Sequence, residues 1–232
     1  MRQYVLWLLI IVPFSMFSQA KQDTTTVNPR YFEDQFYAGV TYNFILNLPG
    51  EEPNKANQRD FSYGLQVGFI KDIPLNNDRT FGVGLGLGLG LYTYYTNIRA
   101  IENGNDIAYL LVQDVDDFKR SKLETHLVEV PLEFRWRNSN PEIYSFWRIY
   151  AGVKFGYVFN ARSKYVLADL KESFQNTDVR NFQYGLTFNF GYHNFNMHAY
   201  YSLTGLFNNG VTLDENNIEM SPLRIGLVFY VL

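Results

Sequence analysis

Apolar residues recur at every second position over long stretches of this chain, the period of a β-strand rather than of a helix. The plainest case is "TFGVGLGLGLGLYTYYTN", residues 80–97, where Gly82, Gly84, Gly86, Gly88 and Gly90 alternate with Val83, Leu85, Leu87, Leu89 and Leu91. A phosphate-binding loop does not fit this stretch. A dinucleotide fingerprint needs a further glycine where Leu87 stands, then a helix, and a P-loop needs a Gly-Lys step that the chain lacks. One face of this strand is bare and the other is branched aliphatic.

The same alternation predicts about eight strands, over 36–47, 60–72, 79–98, 122–137, 145–163, 181–193, 195–204 and 222–232. Their connections are short at "IPLNND", "NSNPEIY" and His193-Asn194, and long at 48–59, 99–121, 164–180 and 205–221, in strict alternation. In an up-and-down sheet, odd and even connections lie at opposite ends. Short periplasmic turns and long external loops are the signature of a bacterial outer-membrane barrel, and an even strand number puts both termini on the periplasmic side. The expected class is all-β, an eight-stranded antiparallel up-and-down transmembrane β-barrel over 36–232.

The faces separate along each strand. Trp147, Ile149, Ala151, Val153, Phe155, Tyr157 and Phe159 oppose Arg148, Tyr150, Gly152, Lys154, Gly156, Val158, Asn160 and Arg162. A soluble barrel of the lipocalin type alternates too, but it would coat its outside with Lys, Glu and Asp. Here the second face is largely Gly, Asn, Thr, Gln and Tyr, while charges gather in loops such as "VQDVDDFKRSK". Trp136, Trp147, Tyr192 and Phe195 flank the apolar stripes as an interfacial girdle would. The leucines of 83–91 are thus expected to face lipid. The five glycines would form an interior wall that makes room for bulky groups, or for a ligand or folded-in loop.

Composition adds three constraints. With 232 residues and a net charge of −3, general binding of nucleic acid gains no support. No cysteine is present, which excludes a disulfide framework and a cysteine-ligated metal. The aromatic share of 18 % is high for a soluble domain. Residues 1–20 read as a signal peptide, with Arg2, the apolar run Val5 to Val12, and small residues around Ser18 and Ala20; the run is short for a membrane anchor and Pro13 interrupts it. Residues 21–35, with Glu33 and Asp34, would form an extended periplasmic segment.

Candidate chemistry is sparse. Glu129, Glu133, Arg135, Arg137, Arg148, Lys154, Arg162 and Arg224 are all assigned to the inner face, with Glu129 roughly opposite Lys154. Buried charges must pair, so a structural network is the first expectation, with a proton path or substrate site as the alternative. Pro131 cannot donate a ladder bond, which predicts a bulge there. Of the histidines, His193 and His198 flank a tight turn, and the His126-to-Glu129 spacing puts those two side chains on opposite faces. No metal site or cofactor is expected, and a His-based lipid-modifying activity would have to start from His126. The terminal "PLRIGLVFYVL" carries Arg224, Gly226, Phe229 and Val231 in the polar-x-Gly-x-x-hydrophobic-x-hydrophobic spacing that barrel-insertion machinery recognises.

Together, "YFEDQFYAGVTYNFILNLPG", "DFSYGLQVGFIKDIPLN", "FKRSKLETHLVEVPLEFRWRNS", "YSFWRIYAGVKFGYVFNARSKY" and "PLRIGLVFYVL" resemble the PorT family, porin-family outer-membrane barrels of the type IX secretion system of Bacteroidetes. The resemblance spans nearly the whole mature chain and implies protein secretion, with gliding motility in some organisms. It carries no catalytic residues and no cofactor. Outer-membrane lipid, insertion machinery and other secretion components are the implied partners. A lipid-modifying barrel enzyme and a structural or adhesive barrel are the other two readings.

Overall fold

The computed structural model describes residues 34–50, 55–104, 106–112, 118–138, 147–167, 170–192, 195–214 and 216–231. The leader, the segment through Glu33, the turn 139–146 and His193 lie outside the described residues. Thirteen strands follow one another: β1 (Gln35–Leu46), β2 (Tyr63–Pro74), β3 (Phe81–Thr96), β4 (Ile98–Asn103), β5 (Asp106–Leu111), β6 (Phe118–Arg137), β7 (Trp147–Leu167), β8 (Lys171–Gln175), β9 (Phe182–Tyr192), β10 (Phe195–Ser202), β11 (Thr212–Leu213), β12 (Asn216–Asn217) and β13 (Ser221–Val231).

Eight of them form a closed antiparallel barrel in the order β6-β3-β2-β1-β13-β10-β9-β7, shut by the β6–β7 pairing. Closure leaves no ladder edge facing lipid, which is the condition for a sheet to span a bilayer. The five shorter strands lie in the long connections. β4 and β5 form a hairpin, β11 and β12 another, and β8 extends the sheet beside the last third of β7, beyond the reach of β9.

Outward positions form an apolar band, interrupted on β2 by Lys71, which pairs with Asp34. On β7 it runs from Trp147 to Phe159, and at about 3.3 Å per residue and a tilt of about 40° this rises roughly 30 Å, the thickness of a bilayer core. Aromatic rings border it at both ends. At the short-turn end Trp147 stacks on Phe190 (5.2 Å, 20°) and Phe195 meets Phe229 edge-on. At the long-loop end Tyr42 packs against Phe44 and Phe61.

Two register shifts interrupt the β6–β7 ladder among the described residues, between Phe118 and Arg120 and between His126 and Leu127. On the β6–β7 ladder His126 pairs with Asn160 but Leu127 with Val158, so Phe159 is an extra residue. Beyond it β7 reverses its faces: Ala161, Ser163 and Tyr165 turn in, and Arg162 turns out. The expected inward Arg162 is therefore corrected by a one-residue bulge, because a strand's period of two changes phase at each inserted residue. The bulge is not at Pro131. Leu85 pairs with Leu132 and Gly88 with Glu129 in one register, so Pro131 merely interrupts the β3 ladder, its ring set against Gly86.

The glycines of β3 face inward, and each stands where a neighbour needs the space. A Cβ on Gly88 would lie 2.1 Å from the Tyr37 hydroxyl, and one on Gly84 would lie 2.6 Å from Arg135 Nε. Gly82 borders Asp72, and Gly90 borders the Tyr92 ring. Bulky groups of this chain occupy the space along the wall. Gly88→Val is expected to abolish the folded form, read as loss of the fast-migrating band on an unboiled gel, whereas the lipid-facing Leu87→Val keeps it.

Candidate functional site

The interior is the part of the barrel where polar chemistry concentrates. Near the short-turn end one carboxylate organises two arginines. Asp72 on β2 takes Arg135 Nη1 on Oδ1 at 3.1 Å and Arg137 Nη2 on Oδ2 at 2.9 Å, all three side chains being almost wholly buried. Arg137 Nε donates to the Arg79 carbonyl oxygen at 2.7 Å. Arg135 also bonds Glu133 (3.0 Å) and Gln35, and its guanidinium lies 4.5 Å from the Tyr150 ring centroid. Glu133 accepts from Asn189 Nδ2, and Asn189 Oδ1 lies 2.6 Å from His198 Nδ1. An amide oxygen only accepts, so with this amide orientation His198 carries its proton on Nδ1.

A second cluster centres on Glu129. Lys154 Nζ reaches it at 3.3 Å and Gln66 Oε1 at 2.5 Å. Tyr92 donates to Glu129 Oε1 at 2.8 Å, and Arg224 Nη1 stands 3.6 Å from the same oxygen. The Arg224 guanidinium also donates to the Tyr94 hydroxyl and lies 3.4 Å from the Tyr92 ring centroid and 4.4 Å from that of Tyr200. Lys154 is paired in register with Pro131, not with Glu129, whose partner on β7 is Gly156. The long lysine stem spans the two-residue offset. Arg148 is buried on the same inner face.

Above these clusters the long connections fold over the mouth. Ile98, Ala100, Tyr109, Leu206, Phe207, Leu213, Ile218 and Met220 form one apolar cluster with Tyr94 and Leu123 of the barrel. Tyr109 donates to Asp178 and accepts from Asn176, which also donates to Ser163 Oγ. Burial pushes the Tyr109 phenol above its ordinary value, so it stays a donor. Arg99 pairs with Glu172 at 2.8 Å and lies over the Tyr165 ring.

Of the residues named from sequence, Glu129, Glu133, Arg135, Arg137, Arg148, Lys154 and Arg224 share the interior, and Arg162 does not. Asp72 was missed, although Gly64, Gln66, Gly68 and Ile70 before it mark the inward face. His126 lies on the outer side, 3.4 Å from Asn160 Nδ2 and edge-on to Phe159. His198 lies inside, and among the described residues neither ring is bonded to a serine. Among the described residues no group of three His, Asp or Glu converges to hold a metal.

A closed barrel with an apolar outside and a buried ionic inside is the arrangement of a membrane protein, and the sequence comparison agrees. Residues 17–208 match the outer membrane protein beta-barrel domain family. The chain belongs to that family. It is an outer-membrane β-barrel protein. Similar solved structures include the attachment invasion locus protein Ail of Yersinia pestis, in complex with the heparin analogue sucrose octasulfate (17 % identity, 85 % of this chain and 99 % of that one, TM-score 0.33). The N-terminal β-barrel domain of Pseudomonas aeruginosa OprF is another (13 % identity, 86 % and 98 %, TM-score 0.30). No curated protein matches the chain in sequence.

Removing Asp72 leaves two buried arginines without their shared carboxylate. Asp72→Ala is expected to cost about 3–5 kcal/mol, read from urea unfolding in lipid vesicles. The exposed Asp78→Ala in the neighbouring turn stays within about 0.5 kcal/mol of the parent.

Proposed function

We propose that this protein is a non-enzymatic outer-membrane barrel that serves type IX protein secretion as an accessory or assembly component, as its resemblance to the PorT family implies. The filled lumen carries this reading. An eight-stranded barrel is just wide enough for side chains, and here those side chains are held by ion pairs through Asp72, Glu133 and Glu129. A polypeptide cargo has no room beside them, so the protein acts next to a larger pore. A lipid-modifying activity has weaker support, because His126 and His198 stand on opposite sides of the barrel wall.

In this reading the long-loop end lies outside the cell, and the short turns and both termini lie in the periplasm. Phe229 and Val231 point to lipid on the last strand, with Arg224 and Gly226 turned in; this is the form in which insertion machinery would meet the terminal signal. Secretion partners would then use the loop cap or the segment leading to Asp34.

The proteins of cell-free culture medium, compared with and without the gene and after complementation, test the secretion role. Loss of a broad set of exported proteins, with cargo retained in the periplasm, is the expected result. An unchanged set would reject the role and favour an adhesive or structural barrel. Orientation is read separately, since the chain has no cysteine of its own. Glu102→Cys is expected to react with an impermeant maleimide on intact cells, and Asn77→Cys only after the outer membrane is opened.

A further inference from the structure

Just above the apolar band, the outer faces of β6, β7 and β8 carry a group of cations that the interior network does not use. Arg120, Lys122, Arg162, Lys164 and Lys171 all sit on this face, Arg120 and Lys171 flanking Val166 on either side. Lys122 is directly opposite Lys164 in the β6–β7 register, and its ammonium lies 5.8 Å from the Tyr95 ring centroid. Like charges directly opposite on one face destabilise a sheet. Glu124, paired with Lys122 and opposite Arg162, is the one carboxylate among the described residues on this face of the three strands.

The position of these cations matters as much as their number. On β7, Arg162 and Lys164 stand three and five residues beyond Phe159, the last ring of the band, which is roughly 10 Å further out at the same rise and tilt. That is headgroup depth. Beside them runs a groove of about 640 Å³ lined by Asp60, Phe61, Tyr63, Tyr95, Lys119, Arg120 and Val166. Three aromatic rings, two cations and the Asp60 carboxylate share this groove.

We infer that this outward cationic face and its aromatic groove form a binding site for the phosphate groups of an anionic glycolipid in the leaflet around the long-loop end. A phosphate there meets Arg120, Lys164 and Lys171 through charge-assisted hydrogen bonds and relieves the opposition of Lys122 and Lys164, while acyl chains lie along the band below. The inference rests on the proposed orientation only for which leaflet supplies the lipid. Binding by purified protein is independent of it and of any role in secretion.

The test uses the full-length protein in zwitterionic nanodiscs, titrated with bis-phosphorylated lipid A and with its dephosphorylated form. The parent is expected to prefer the phosphorylated form at least ten-fold. The triple variant Arg120→Gln, Lys164→Gln, Lys171→Gln is expected to lose that preference. The control Lys55→Gln, Lys71→Gln, at other sites, retains it. The single Lys171→Gln variant, at the margin of the sheet, is expected to show an intermediate loss, and unboiled gel mobility reports folding for each protein. Equal binding of the two lipids by the parent would overturn the site, as would a triple variant that keeps the preference. Displacement of lipid A by an acidic polypeptide, poly-glutamate, at matched charge would also overturn it, by assigning the face to a protein partner.

Discussion

Closure of eight strands edge to edge is the constraint on which the rest of this structure depends. It leaves no unpaired backbone facing hydrocarbon, and it also sets the width of the space enclosed. A space that narrow must be filled with side chains, and any charge in it must find its counter-charge there. The glycines of β3 and the ionic clusters answer the same demand. The flat wall of Gly82, Gly84, Gly86, Gly88 and Gly90 gives up volume that Asp72, Arg135, Pro131, Tyr37 and Tyr92 then take.

The two clusters inside are organised by acids. Asp72 gathers two arginines of β6, and Glu129 gathers Lys154 of β7 and Arg224 of β13, so the ties of β2 with β6 and of β6 with β13 join parts of the wall that share no ladder. Such contacts act as cross-braces. The apolar cap over the mouth, made from the long connections, is continuous with barrel side chains including Tyr92, Tyr94, Leu123, Leu127 and Val158, and meets the Glu129 cluster at Tyr92.

Much of this was legible in the sequence, because a strand buried on one face and lipid-coated on the other repeats every two residues. All eight wall strands and the inward direction of the glycines followed from that period. What the period could not give is any place where its phase changes. Arg162 was assigned to the interior by counting through Phe159, and the ladder there holds an extra residue. Pro131 drew attention as a bulge but fits its strand, since its ring has Gly86 opposite to lie against. Asp72 was overlooked because it falls at the end of its strand, where alternation and turn look alike. The β11–β12 hairpin leaves no periodic trace, because its strands are two residues each.

The bulge at Phe159 divides β7 into two reading frames. Below it, even-numbered residues build the ionic core; above it, even-numbered residues build the cationic outer face, while Ala161, Ser163 and Tyr165 support the cap. Length at this one point is therefore a shared parameter of three surfaces. A lineage that gained or lost one residue here would exchange the inner and outer faces of the strand's last third in a single event. Drift in these three surfaces is thus confined to substitutions, and the spacing between Val158 and Ala161 is as much a part of the design as the residues themselves.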